Sequence, residues 1–159
     1  MSFKTTVLAA LAATALALPA VAQDIMINDA YARSSAAMAT SGAAFMAIMN
    51  HSSADDRLIG VTSPAAQQVE LHTHTQDAQG VMRMIHVTEG FPVAAGETLM
   101  LARGGNHVMF MGLTEPFEQG DMIPLTLTFE QAGDIEIEVP VDLERKPAHG
   151  MGHQHGKSE

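Results

Sequence analysis

Between Glu70 and Met111 the chain reads Glu70-Leu71-His72-Thr73-His74, then Val81-Met82-Arg83-Met84-Ile85-His86, then Gly104-Gly105-Asn106-His107-Val108-Met109-Phe110-Met111. Each run is short and bounded by turn formers such as Gln76-Asp77-Ala78-Gln79-Gly80, the pattern of strands joined by tight connections. Side chains two apart on a strand point to the same face. His72 therefore shares a face with His74, Met84 with Met82 and His86, and His107 with Met109 and Met111. The stretch predicts β structure that gathers imidazoles and thioethers.

The same period extends in both directions. Ile25 to Arg33 predicts a first strand with Ile25, Ile27 and Tyr31 inward, and Ser34 to Ser41 predicts a loop. Gly42 to Asn50 is nearly continuously apolar, as a core strand of a sandwich is. Arg57 to Ser63, ended by Pro64, is the third strand, with Gln67 to His74 and Gly80 to Val87 following as a hairpin. Glu89 to Gly96, with two glycines and Pro92, predicts an irregular connection. Thr98 to Ala102, His107 to Leu113, Met122 to Glu130 and Ile135 to Val141 complete the set. In the run ending at Glu130, Leu125, Leu127 and Phe129 face inward and Thr126, Thr128 and Glu130 outward. Many short strands with no long helix imply an all-β domain, an antiparallel β-sandwich or small barrel.

The ends differ from this pattern. Lys4, the apolar run Val7 to Leu18 and the small-x-small Ala20-Val21-Ala22 read as a signal peptide over residues 1–22. The run is shorter than the roughly 20 residues needed to span a bilayer, so an exported protein without stable membrane insertion is expected. Residues 23–146 are the folded domain, long enough for one core. Residues 147–159 hold Met151 as their one large apolar side chain and are expected to be a flexible tail.

Composition closes off several functions. The chain has 18 acidic against 8 basic residues, a formal charge of −10, which opposes nucleic-acid binding. It has no cysteine, which excludes thiol chemistry, a blue-copper thiolate and a Cys-built zinc site. No Ser-His-Asp order, paired carboxylates or phosphate loop is visible, so a binding protein is expected rather than an enzyme. Twelve methionines are many. As flexible core filler they need no further reason, and Met26, Met38, Met46, Met49, Met100 and Met122 are expected in that role, with His51 as a structural histidine.

Coincidence on three strands asks for more. His72, Met84, His107 and Met109 can enclose one ion roughly tetrahedrally, with Gly104-Gly105 giving the backbone a sharp approach. Imidazole serves many metals, but neutral thioethers select copper and Cu(I) above all. His74 and His86 lie on the same faces and are expected to hydrogen-bond behind the ligands or to replace one. Met82 and Met111 are expected to pack around the site.

These residues resemble the motif of the periplasmic copper chaperone family PCu(A)C. That motif is a His, often a Met, ten residues, a Met, about twenty-one residues, then His-x-Met. His72, Met84, His107 and Met109 match it, within Val69-Glu70-Leu71-His72 and Gly104-Gly105-Asn106-His107-Val108-Met109-Phe110-Met111-Gly112-Leu113. Thr73 stands where the family often has Met, the Met84-to-His107 gap is one residue longer, and Arg103 replaces a frequent Pro. The resemblance implies a cupredoxin-like fold and a periplasmic location. It also implies delivery of Cu(I) to cytochrome oxidase assembly, through an oxidase subunit or another copper chaperone. In the tail, His149, Met151, His153 and His155 form a second ligand set suited to Cu(II), or less selectively Ni(II) or Zn(II). The rival readings are a copper-storage or resistance protein, a cupredoxin-type electron carrier, which the lack of Cys disfavours, and a metal-independent β-sandwich adaptor.

Overall fold

A computed structural model describes residues 24–146; the expected signal peptide and tail lie outside the described residues. Within them the chain forms ten strands and no helix. They are β1 (Ile25–Ser34), β2 (Ser41–Asn50), β3 (Asp56–Thr62), β4 (Ala66–Gln76), β5 (Met82–His86), β6 (Phe91–Val93), β7 (Thr98–Leu101), β8 (His107–Leu113), β9 (Met122–Phe129) and β10 (Gly133–Pro140). The larger sheet runs β1-β2-β8-β4-β5, with β7 also pairing β2, and the smaller runs β10-β9-β3-β6. Every strand pairing is antiparallel.

Alternation builds the core between the two sheets. Leu125, Leu127 and Phe129 of β9 are at most 2% exposed, as the sequence pattern requires of an inward phase. They belong to one cluster with Ile48, Val108 and Phe110 of the larger sheet. Asn50 is the polar exception. Its side-chain amide donates to the carbonyls of Ala54 at 2.8 Å and Val93 at 3.0 Å, so its burial leaves no donor unmet.

Three expectations need correction. Tyr31 does not face the core. The β1–β2 register shifts between Asn28 and Tyr31, where Asp29 has φ 53°, and this bulge inverts the alternation. Ala32 is therefore fully buried, while Tyr31 packs at a tilt against Phe45 on the other face, 5.2 Å between ring centroids. The connection Glu89 to Gly96 contains a strand, β6, paired with β3. A Pro is tolerated there because β6 ends its sheet. Of the methionines expected in the core, Met46 is buried, but Met26, Met38, Met100 and Met122 are exposed. Ile25 and Ile27 take the inward phase of β1, which sends Met26 out.

Candidate metal centre

The outer face of the larger sheet carries the predicted residues, and the strand register fixes their order. His72 is paired with His107 on one side and His86 on the other. His74 is paired with Met84, and Met109 lies between Glu70 and Ala43. Period two on β4, β5 and β8 thus makes one continuous surface of His72, His74, Met84, His86, His107 and Met109.

Four of these side chains, His74, Met84, His107 and Met109, line a single open cavity of about 440 Å³, together with Phe45 and two arginines, Arg33 and Arg103. Among the described residues, no carboxylate lines it. Met84 is 45% exposed on β5, whereas His107 is 2% exposed on β8, so one donor is covered by its outer-face neighbours Phe45, His72 and His74 and the other stands free. His72 is not in the cavity wall. It lies behind, its ring centroid 5.9 Å from that of His107 and 5.6 Å from that of His86. His74 and His107 are closer still, at 5.1 Å.

Hydrogen bonds set the tautomers. His107 Nδ1 is 2.9 Å from the carbonyl oxygen of Gly105. A carbonyl can only accept, so Nδ1 carries the hydrogen and Nε2 keeps a lone pair. His74 Nδ1 lies 3.4 Å from the same oxygen, a long contact. His72 Nε2 is 2.7 Å from Glu70 Oε2, while its Nδ1 is buried with no hydrogen-bond partner. Burying such an atom unpaired is unfavourable, and a bound ion would satisfy it. The donor set therefore fits a soft metal. Among the described residues, no group of three or more His, Asp or Glu is arranged to hold an ion without the thioethers.

Glu70 is the residue sequence reasoning missed. It sits two positions before His72, and that spacing was the available signal, but a Glu on a half-exposed strand is ordinary. The turn residue Asn106 also contributes, its side-chain oxygen accepting from Thr73 Oγ1 at 2.8 Å and tying the Gly104–Gly105 loop to β4.

Burial pushes the His107 pKa below its ordinary value near 6.5; His74 and His72 nearby add to the effect, and the Gly105 carbonyl opposes it. The unfolded chain then binds a proton that the folded one refuses as pH drops below about 6.5. Stability supplied by neutral His107 is fully present above that value and is lost as pH falls toward the lowered one. We expect an NMR titration midpoint for His107 below 6.5 and a metal-free protein less stable at pH 5 than at pH 7, within the range where histidine titrates near about 6.5. A midpoint at or above the ordinary value would contradict the burial argument.

The fold has solved counterparts. It superposes on the copper-bound PCuAC domain from PmoF2 with a TM-score of 0.62 at 24% identity, over 76% of this chain and 93% of that one. The solution structure of the Cu(I) form of DR1885 from Deinococcus radiodurans matches with a TM-score of 0.59 at 28% identity, over 79% of this chain and 84% of that one. The all-β, cupredoxin-like architecture expected from the sequence is thus the observed one. In sequence, a putative lipoprotein of Leifsonia xyli subsp. xyli is 35% identical over 142 residues, covering 85% of this chain and 84% of its own length. The model of the family described as "Putative lipoprotein LpqE-like" matches residues 25–141, and the chain belongs to that LpqE-like family.

Proposed function

We propose that the protein is an exported, periplasmic copper metallochaperone. It carries Cu(I) on the outer face of the larger sheet, with Met84, Met109, His107 and His72 as ligands. It hands the ion to cytochrome oxidase assembly, through an oxidase subunit or another copper chaperone, by binding and release rather than turnover.

The observation that carries this reading is the shared cavity: Met84, Met109 and His107 converge in its wall, with His74 beside them and, among the described residues, no carboxylate. Thioether donors select Cu(I). Arg33 and Arg103 in the same wall add positive charge, which disfavours a second charge on the ion. His72 joins the set through its unpartnered Nδ1. Similarity to the Cu(I) form of DR1885 supports copper as the ion. A family described as lipoproteins supports export, and no helix among the described residues is long and apolar enough to cross a membrane. His149, Met151, His153 and His155, outside the described residues, are proposed as a separate Cu(II) set.

Titrating the purified protein with Cu(I) against a competing chelator, then recording X-ray absorption at the copper edge, tests the reading. One equivalent of copper with two sulfur and two nitrogen neighbours is expected. A shell of nitrogen and oxygen alone, or no competition with the chelator, would overturn it.

A further inference from the structure

Glu70 is enclosed by the donors of the outer face without reaching the cavity. Gln68 Nε2 donates to its Oε1, His72 Nε2 lies 2.7 Å from its Oε2, and His86 Nδ1 is 3.5 Å from that same oxygen. Its side chain is 16% exposed. The register pairs it with Met109, and it precedes His72 by two on β4.

We propose that Glu70 is the positioning residue of the soft-metal site: it accepts the Nε2 hydrogen of His72 and so commits that ring to offering Nδ1 to the ion. This rests on the soft-metal reading above. An ionised carboxylate only accepts, so the hydrogen in the 2.7 Å contact belongs to Nε2. A neutral imidazole with hydrogen on Nε2 has its lone pair on Nδ1. That is the ring atom the structure buries and leaves without a partner. Metal-bound histidines generally donate their other ring N–H to a carboxylate or carbonyl, which fixes orientation and raises basicity. Here the two rings do so oppositely: His72 through Nε2 to Glu70, His107 through Nδ1 to Gly105.

The arrangement also sets charge. The ligands are neutral, and Glu70 is the anion that touches His72. His86, whose contact is longer, is the weaker competitor for the same oxygen. Glu70 is offered as the hydrogen-bond partner of His72 and not as a ligand.

Two-bond nitrogen–proton NMR correlations of the metal-free protein read the tautomer of each ring. We expect hydrogen on Nε2 of His72 and on Nδ1 of His107. In Glu70→Ala, His72 becomes a tautomer mixture while His107 is unchanged. Glu70→Gln retains a carbonyl acceptor and preserves the wild-type His72 pattern, and Glu70→Leu, similar in size without an acceptor, stands in if the alanine variant does not fold. Cu(I) affinity, measured by chelator competition, should fall about 10–100-fold in Glu70→Ala and less in Glu70→Gln. Hydrogen on Nδ1 of His72 in the wild type, or Glu70→Ala binding as tightly as wild type, overturns this inference alone. A wild-type protein that takes no Cu(I) overturns the soft-metal reading together with it.

Discussion

Replacing both thioethers, Met84→Ala with Met109→Ala, is expected to lower Cu(I) affinity by more than about a hundredfold, beyond the roughly 10–100-fold that loss of an outer partner costs. Both side chains line the cavity, from opposite sides of β4. Without them the wall loses its soft donors and keeps imidazoles, which serve Zn(II) and Cu(II) as well as Cu(I). The double variant should therefore lose selectivity along with affinity, and its X-ray absorption spectrum should lose both sulfur neighbours. Stability should change little at Met84, which is 45% exposed. Chelator competition that reports unchanged affinity would remove the thioethers from the site.

The second large effect is on the fold. Gly90 has φ 72°, and a Cβ built on it would lie 2.1 Å from the carbonyl oxygen of Leu58 and 3.0 Å from Ile59 Cα. Both are backbone atoms of β3, and Leu58 is fully buried and paired with Phe91. Gly90→Ala must therefore pry β6 from β3 as well as hold a left-handed conformation, at a cost of about 3 kcal/mol or more. Gly104→Ala is the control. Its φ is 82° and nothing lies within 4 Å of its added Cβ, so it should cost only the conformational term, about 1–2 kcal/mol. Denaturant midpoints compare the two, and equal losses would refute the steric argument.

How far the residues alone led depends on what each signal encodes. Alternation is local, so Leu125, Leu127 and Phe129 declared their inward phase and β9 followed. The shared faces of β4, β5 and β8 were legible for the same reason. Register between strands is not local. That His72 faces His86, and His74 faces Met84, depends on how the chain from Asp77 to Val81 closes the hairpin. Tyr31 was misplaced because a bulge at Asp29 leaves no periodic mark. β6 was hidden by Gly90, Pro92 and Gly96, turn formers that here flank or occupy a three-residue edge strand. Glu70 was passed over because only the structure shows His72 and His86 both turned toward its carboxylate.

β5 ends the larger sheet, with β4 as its single neighbour, and all five of its residues are exposed. Elements with so few buried contacts open at far less cost than the molecule as a whole. Met84 therefore rides on a margin that can fray while His107, covered by its neighbours on the middle strand β8, stays put. On the proposed function, an ion gripped in this way is released by peeling back one border of the sheet, with the rest left intact.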